Sequence, residues 1–310
     1  MYRVGQLVQK YEKSLSLRPV AGAFDLSKPI KIAEASRPGL ALSGYLKGYV
    51  PKRILVFGKE EIDYLADLNS HERHERLEPL MTPFTPCAFI PNRPKPLPEM
   101  VALAKAKEIP LFRTDLSTMA LLNKLTLILN DEFAPSSFCH GTLVEVFGLG
   151  VLIQGSSSVG KSETALGLLE RRHRLVADDI IKVKRREGFL EGEGTELTRH
   201  IMEIRGIGII NIAHLYGAVC VRESKNIDIV VALEEWDDDH SYERVGLEEK
   251  SCDILNTHIP FYVLPVKPGR DVVLLLETIV LNHRLKQMGL NSAKEFTSKL
   301  RQAISEKKRT

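Results

Sequence analysis

Gly155-Ser156-Ser157-Ser158-Val159-Gly160-Lys161-Ser162 has the form G-x-x-x-x-G-K-S. The residues before it, 148–154, are short and mostly apolar, which predicts a strand; residues 163–170 place apolar side chains at helical spacing. A strand that turns through glycines into a helix is the setting of a phosphate-binding loop. The glycines let backbone N–H groups turn inward around phosphate oxygens, and the positive end of the helix adds to the field. Lys161 then reaches the outer phosphates, and Ser162 is placed to give its hydroxyl to a Mg²⁺ ion that bridges them.

Outward from the loop, Arg174-Leu175-Val176-Ala177-Asp178-Asp179 predicts a buried strand ending in two carboxylates. An acid delivered beside a phosphate loop can hold Mg²⁺ or its water, or act as base toward an attacking hydroxyl. Adjacent strand residues face opposite ways, so the pair divides its roles. On the other side, Ser137-Phe138-Cys139-His140-Gly141-Thr142 leads to a strand over 143–147, and His140 is read as opening a β-hairpin whose far arm ends at the loop. Residues 182–187 are a charged strand, and 188–194, rich in Glu and Gly, are read as a mobile loop over or near the site. Met202-Glu203-Ile204-Arg205-Gly206-Ile207-Gly208-Ile209-Ile210-Asn211 sets a Glu and an Arg in an apolar run. Buried charges there need a metal, a phosphate or each other. Further on, 228–236 is a strand, 237–240 a solvated turn, and 261–266 a strand entering the basic turn 267–270. From spacing alone Arg244 is an ordinary surface arginine. Helices close the chain over 272–288 and from Ser292, the latter with Ser292 and Glu295 as a capping box.

The first half alternates short apolar strands at 54–58, 87–90 and 111–113 with helices over 59–68, 98–107 and 117–129, an α/β domain of its own. His71-Glu72-Arg73-His74-Glu75-Arg76 lacks metal-ligand spacing and reads as a solvated helix face. Domain boundaries are therefore placed at 1–130 for an N-terminal α/β domain, 131–136 for a linker and 137–310 for a domain built on the phosphate loop. Within 310 residues, 43 basic side chains against 40 acidic leave +3, which points to no nucleic acid partner. Cys87, Cys139, Cys220 and Cys252 form no C-x-x-C pair, so reduced thiols are expected. No stretch reaches the roughly 18 apolar residues of a membrane span, and no apolar signal core follows Met1. A soluble, cytoplasmic protein is the expectation.

The chain resembles the bacterial HPr kinase/phosphorylase family. The likeness is carried by His140-Gly141, the loop ending Gly160-Lys161-Ser162-Glu163-Thr164-Ala165-Leu166, the segment His173-Arg174-Leu175-Val176-Ala177-Asp178-Asp179, the run Met202 to Asn211, Pro265-Val266-Lys267-Pro268-Gly269-Arg270, and Asn282-His283-Arg284-Leu285-Lys286-Gln287-Met288-Gly289. In the first half, Ser36-Arg37-Pro38-Gly39-Leu40-Ala41-Leu42-Ser43-Gly44-Tyr45 carries it. The resemblance implies a Mg²⁺-dependent enzyme that phosphorylates a serine of the phosphocarrier HPr from ATP or pyrophosphate. It also implies the reverse step, in which phosphate attacks phosphoserine and yields pyrophosphate. The implied roles are Ser162 and Glu203 as Mg²⁺ ligands, Asp179 as the group exchanging the serine proton, His140, Lys161 and Arg244 as further catalytic residues, and Pro265 to Arg270 as a dephosphorylation segment. A phosphoenolpyruvate carboxykinase-like kinase domain, a homohexamer and regulation by fructose 1,6-bisphosphate are implied as well. The family usually has Gly where Ser158 stands, so a positive φ there would strain the loop. A P-loop kinase with another substrate and a nucleotide- or phosphate-sensing regulator are the rival readings.

Overall fold

The computed structural model describes residues 1–20, 25–92, 94–239, 242 and 248–307. The chain divides into two compact units, the break falling between Phe133 and Ala134. In the first unit the elements are α1 (Val4–Tyr11), β1 (Arg18–Pro19), β2 (Ala35–Ser36), α2 (Gly39–Leu42), β3 (Ile54–Val56), α3 (Lys59–Asp67), α4 (Ser70–Leu77), β4 (Ala88–Ile90), α5 (Pro98–Ala106), β5 (Leu111–Arg113) and α6 (Thr118–Glu132). The sheet order is β1-β5-β4-β3-β2, with β2 to β5 parallel and β1 antiparallel to β5. Strands β3 and β4 are buried on both faces, which explains their unbroken apolar runs. Leu55, Ala88 and Ile90 meet Ile62, Leu65, Leu77 and Met100 from α3, α4 and α5. On the opposite face Ile54, Val56 and Phe89 meet Leu7 of α1 and Leu121, Leu125 and Leu129 of α6. The three leucines recur every fourth residue, so one stripe of α6 is enough to cover that face. The His71 segment is α4, capped by Asn69, whose side chain accepts from the Glu72 N–H at 3.0 Å.

The second unit contains β6 (Ser136–His140), β7 (Thr142–Val146), β8 (Leu149–Gly155), α7 (Lys161–Glu170), β9 (Arg174–Ala177), β10 (Ile180–Arg186), β11 (Phe189–Gly194), β12 (Ile201–Ile204), β13 (Gly208–Asn211), α8 (Ile212–Tyr216), β14 (Ser224–Asn226), β15 (Ile229–Glu235), β16 (Lys250–Ile254), β17 (Thr257–Val266), α9 (Val272–Gln287) and α10 (Ser292–Lys307). A six-stranded sheet runs β16-β17-β15-β8-β7-β9, a four-stranded one β14-β11-β10-β6, and β12 pairs with β13 alone. Strands β8, β15 and β17 are parallel. Because β7 is antiparallel to both β8 and β9, β9 points the same way as they do. Four strands thus end at one edge of the large sheet, and the phosphate loop leaves from that edge. One face of this sheet packs on Ala165, Leu168, Leu276 and Val280 of α7 and α9. The other packs through Leu143, Leu152 and Val230 on Ile181, Val183 and Leu190 of the small sheet.

Four sequence expectations are corrected here. His140 does not open the hairpin: the hairpin is β7–β8, from Thr142, and His140 ends β6 in the small sheet, opposite Ile180. Gly141, at φ +153, is the joint at which the chain passes from one sheet to the other, and a Cβ there would lie 2.5 Å from the Ile153 carbonyl oxygen. Residues 188–194 are not a loop over the site but the hairpin strand β11. Its Leu190 is buried and its Gly192 lies so close to Leu143 that a Cβ would come within 2.5 Å. The glutamates of β11 face outward, Glu191 accepting from Arg186 Nη2 at 2.8 Å. In the run from Met202 to Asn211 only Met202 and Ile204 are buried; Glu203 and Arg205 lie on the exposed side of the β12–β13 hairpin, so no buried charge needs neutralising. Finally, α10 begins at Ser292 itself, and Asn291 caps it by accepting from the Lys294 N–H at 3.1 Å.

Candidate active site

The phosphate loop joins β8 to α7 with three residues at positive φ: Gly155 at +145, Ser158 at +81 and Gly160 at +95. Gly155 is obligatory by space as well, since a Cβ would stand 2.4 Å from the Leu233 carbonyl oxygen. Val159 is the anchor, buried in the core beneath the loop. Gly160 precedes α7 without any side-chain cap, which leaves the first-turn N–H groups of the helix facing the loop. Lys161 folds over the loop and donates to the carbonyl oxygens of Gly155 at 3.0 Å and Ser156 at 2.8 Å. The expected strain at Ser158 is present: a serine holds a left-handed conformation, and its hydroxyl turns to the Ser157 carbonyl oxygen.

Just past β9 the two aspartates separate at a bend, in which Asp179 takes a left-handed conformation. Asp178 is buried at 5% exposure and Asp179 is 74% exposed at its side chain. Thr142 Oγ1 donates to Asp178 Oδ1 at 2.6 Å, and Ser162 Oγ donates to Asp178 Oδ2 at 3.0 Å. Burial pushes the Asp178 carboxyl above its ordinary value, against the hydrogen bonds from Thr142, Ser162 and the backbone N–H groups of Asp179 and Glu203. Asp178 therefore ties together β7, the first turn of α7 and β12. Asp179, at φ +66, faces His140, with Nδ1 and Oδ1 3.6 Å apart. The Gly141 N–H donates to the Asp179 carbonyl oxygen at 3.1 Å, which locks the two joints side by side.

The β12–β13 hairpin approaches from the α7 side. Arg205, in its turn, donates from Nη2 to Ser157 Oγ at 3.2 Å, so this hairpin touches the phosphate loop directly. The turn 267–270 leaves β17 at the same sheet edge: Gly155 pairs with Leu233, and Leu233 with Leu264. Arg270 Nη1 donates to the Pro265 carbonyl oxygen at 2.9 Å. Arg244 lies outside the described residues. Ser162 and Asp178 form an all-oxygen pair, the donor chemistry Mg²⁺ takes, and the Glu203 backbone meets the same carboxylate. Among the described residues no group of three or more His, Cys, Asp or Glu converges on one point. Asp178 and Thr142 have structural roles that sequence reasoning left unassigned. The signal was present in the adjacent carboxylates, one of which had to point inward.

A phosphate loop, with a buried acid on its serine and further polar groups at the carboxyl edge of a parallel sheet core, defines a P-loop phosphotransferase. The chain belongs to the HPr kinase/phosphorylase family: the HPr Serine kinase N terminus matches residues 3–129, and the HPr Serine kinase C-terminal domain matches residues 131–300. It is 41% identical over 305 residues to the HPr kinase/phosphorylase of Geobacillus sp. (strain WCH70), covering 98% of this chain and 97% of that one. To the HPr kinase/phosphorylase of Bacillus subtilis (strain 168) it is 40% identical over 296 residues, 95% of each. The structure of the Hpr(Ser) kinase/phosphatase from Coxiella burnetii is 33% identical, covering 52% of this chain and 98% of that one with a TM-score of 0.47.

Proposed function

We propose that this chain transfers a phosphoryl group from ATP, or from pyrophosphate, to a serine hydroxyl of HPr, and that it also returns the group to inorganic phosphate. The observation that carries the reading is the placement of exposed Asp179 and His140 at the sheet edge from which the phosphate loop leaves. At 74% and 83% exposure these side chains can meet a serine presented on the surface of another protein. In the forward direction Asp179 takes the hydroxyl proton as the serine oxygen bonds to phosphorus and the donor's bridging bond breaks. In reverse, a phosphate oxygen bonds to phosphorus, the serine–phosphorus bond breaks, and Asp179 returns the proton to the serine oxygen, leaving pyrophosphate. His140, beside Asp179, orients that carboxylate and contributes to the charge balance around it. Lys161 and the loop amides hold the outer phosphates, and Arg244 serves as a further clamp on the transferred group. Ser162 and Glu203, with Asp178 behind Ser162, would hold a Mg²⁺ ion, which when bound would neutralise charge on the phosphate oxygens.

The same reading extends to a homohexamer with fructose 1,6-bisphosphate as effector, in the cytoplasm. Exposed apolar side chains on β12–β13 and just beyond, Ile207, Ile209, Leu215 and Val219, favour subunit contact. Among the described residues no helix is long and apolar enough to cross a membrane.

The test is transfer to purified HPr with Mg²⁺ and either donor, followed by excess phosphate on the phosphorylated product. Asp179→Asn is expected to bind nucleotide as the parent does and to lose both directions. Equal turnover by Asp179→Asn and the parent would remove Asp179 from the mechanism. Absence of transfer by the parent from either donor would remove the reading itself.

A further inference from the structure

Trp236 is the sole tryptophan of the chain and stands just beyond β15, at the edge that carries the phosphate loop. Its backbone N–H donates to the Val266 carbonyl oxygen at 2.9 Å, fastening it to the end of β17. Its indole N–H donates to Asp238 Oδ1 at 2.7 Å, which fixes the ring's orientation. The Tyr242 ring lies 5.1 Å from it, centroid to centroid. Two cations converge on the indole: Lys267 Nζ lies 5.2 Å and Arg270 Cζ 5.7 Å from the ring centroid. Both distances are within cation–π range.

Gathering two like charges onto one ring is unfavourable unless something offsets their repulsion. The ring's π face and the Asp238 carboxylate, 4.0 Å from Lys267, supply part of that offset. A bound anion would add to it. Lys267 and Arg270 are exposed, and the Pro265 carbonyl takes one of the guanidinium's five N–H donors. With β15 lying between β8 and β17, the turn begins about 10 Å from the start of the phosphate loop. That is a distance a lysine and an arginine can bridge toward a second phosphate beside one held in the loop.

We propose that Trp236 is the positioning residue for the phosphate-consuming direction: it holds Lys267 and Arg270 where an incoming inorganic phosphate, or the far half of a pyrophosphate, meets them. The inference rests on the reading of Pro265 to Arg270 given above. Phosphate attacking phosphoserine brings two highly charged anions together, so this direction depends on the extra cations more than transfer from ATP to an uncharged hydroxyl does.

The experiment compares full-length parent, Trp236→Phe and Trp236→Leu in two assays. These are phosphate-dependent dephosphorylation of phosphoserine-HPr across a phosphate titration, and ATP-dependent phosphorylation of HPr. Pyrophosphate binding is measured alongside by calorimetry. Trp236→Leu should raise the KM for phosphate about tenfold and weaken pyrophosphate binding by a similar factor, the loss of two cation–π contacts at exposed positions. Its kcat with ATP should change by less than about twofold, and Trp236→Phe, which keeps a π face, should recover most of the loss. Equal losses in both directions, an unchanged KM for phosphate, or a phenylalanine no better than leucine would overturn the proposal. Trp236 is 39% exposed, and the phenylalanine variant with the binding measurement decides the matter if leucine proves unstable. A parent that lacks phosphate-dependent activity would defeat the functional reading and this inference with it, whereas an active parent with an unselective Trp236→Leu defeats the inference alone.

Discussion

Glu277→Gln should destabilise the second unit by about 2 kcal/mol near neutral pH, and the deficit should shrink on acidification. Glu277 lies on α9 and is 12% exposed; it accepts from Arg171 Nη1 at 2.7 Å and faces His173 Nε2 at 2.9 Å. These contacts tie α9 to the end of α7 and to the residue that begins the approach to β9. Burial alone would raise the Glu277 carboxyl, but the hydrogen bonds from His173 and Arg171 outweigh it and hold the group below its ordinary value. A carboxylate depressed in the folded state stabilises above its unfolded pKa and loses that contribution as pH falls through the folded pKa. Glutamine keeps the shape, forfeits both charge-assisted bonds and turns a donor toward one partner. For a unit of this size the loss corresponds to about 4–8 °C in Tm. Trp236 is the chain's sole tryptophan and lies in the second unit, so its fluorescence during denaturant unfolding reports that unit. A Glu277→Gln protein within about 0.5 kcal/mol of the parent at neutral pH, or a gap that widens in acid, would refute the reasoning.

Gly150→Ala should be close to intolerable, because its Cβ would stand 1.8 Å from the Asn226 carbonyl oxygen, backbone that β14 pairing holds in place. A loss of about 3 kcal/mol or more, read from soluble yield and melting, is expected; Gly148→Ala, at φ +84 with open space around it, should cost only about 1–2 kcal/mol. Thr142→Val removes the fully buried donor to Asp178 and should cost about 2 kcal/mol at neutral pH in denaturant unfolding. A cost near zero would mean that the remaining donors satisfy Asp178.

Much of this architecture was legible because local signals were strong and agreed with one another. The phosphate loop sits between a strand and a helix as its glycines and flanking periodicity dictate, and the strands at 54–58 and 87–90 carry the unbroken apolar runs of a sheet buried on both faces. What escaped was decided by contacts distant in sequence. Residues 188–194 look like a loop by composition, yet glycine is there because Leu143 leaves no room for a side chain at Gly192. Glu203 and Arg205 seemed buried because their neighbours are apolar, but a two-stranded hairpin covers only one of its faces, and Ile207 and Ile209 share their exposure. The sequence around His140 points to the correct neighbouring strand but the wrong sheet, since no local pattern tells a hairpin turn from a joint between sheets. That Asp178 and Asp179 part company was legible, but the cause is the left-handed bend at Asp179 and not alternation along β9, for Leu175 through Asp178 are buried in succession.

The joints at Gly141 and at Asp178–Asp179 both carry the chain between the same two sheets, and a hydrogen bond from Gly141 to Asp179 fastens one to the other. Asp178, one residue before Asp179, is held by Thr142 of the large sheet and by Ser162 at the phosphate loop, so His140 and Asp179 keep their place relative to that loop. The pair is in effect pinned where two sheets meet, over the apolar layer of Leu143, Leu152, Ile181 and Val183. A methyl group lost from that layer would therefore loosen the seat of both side chains at once.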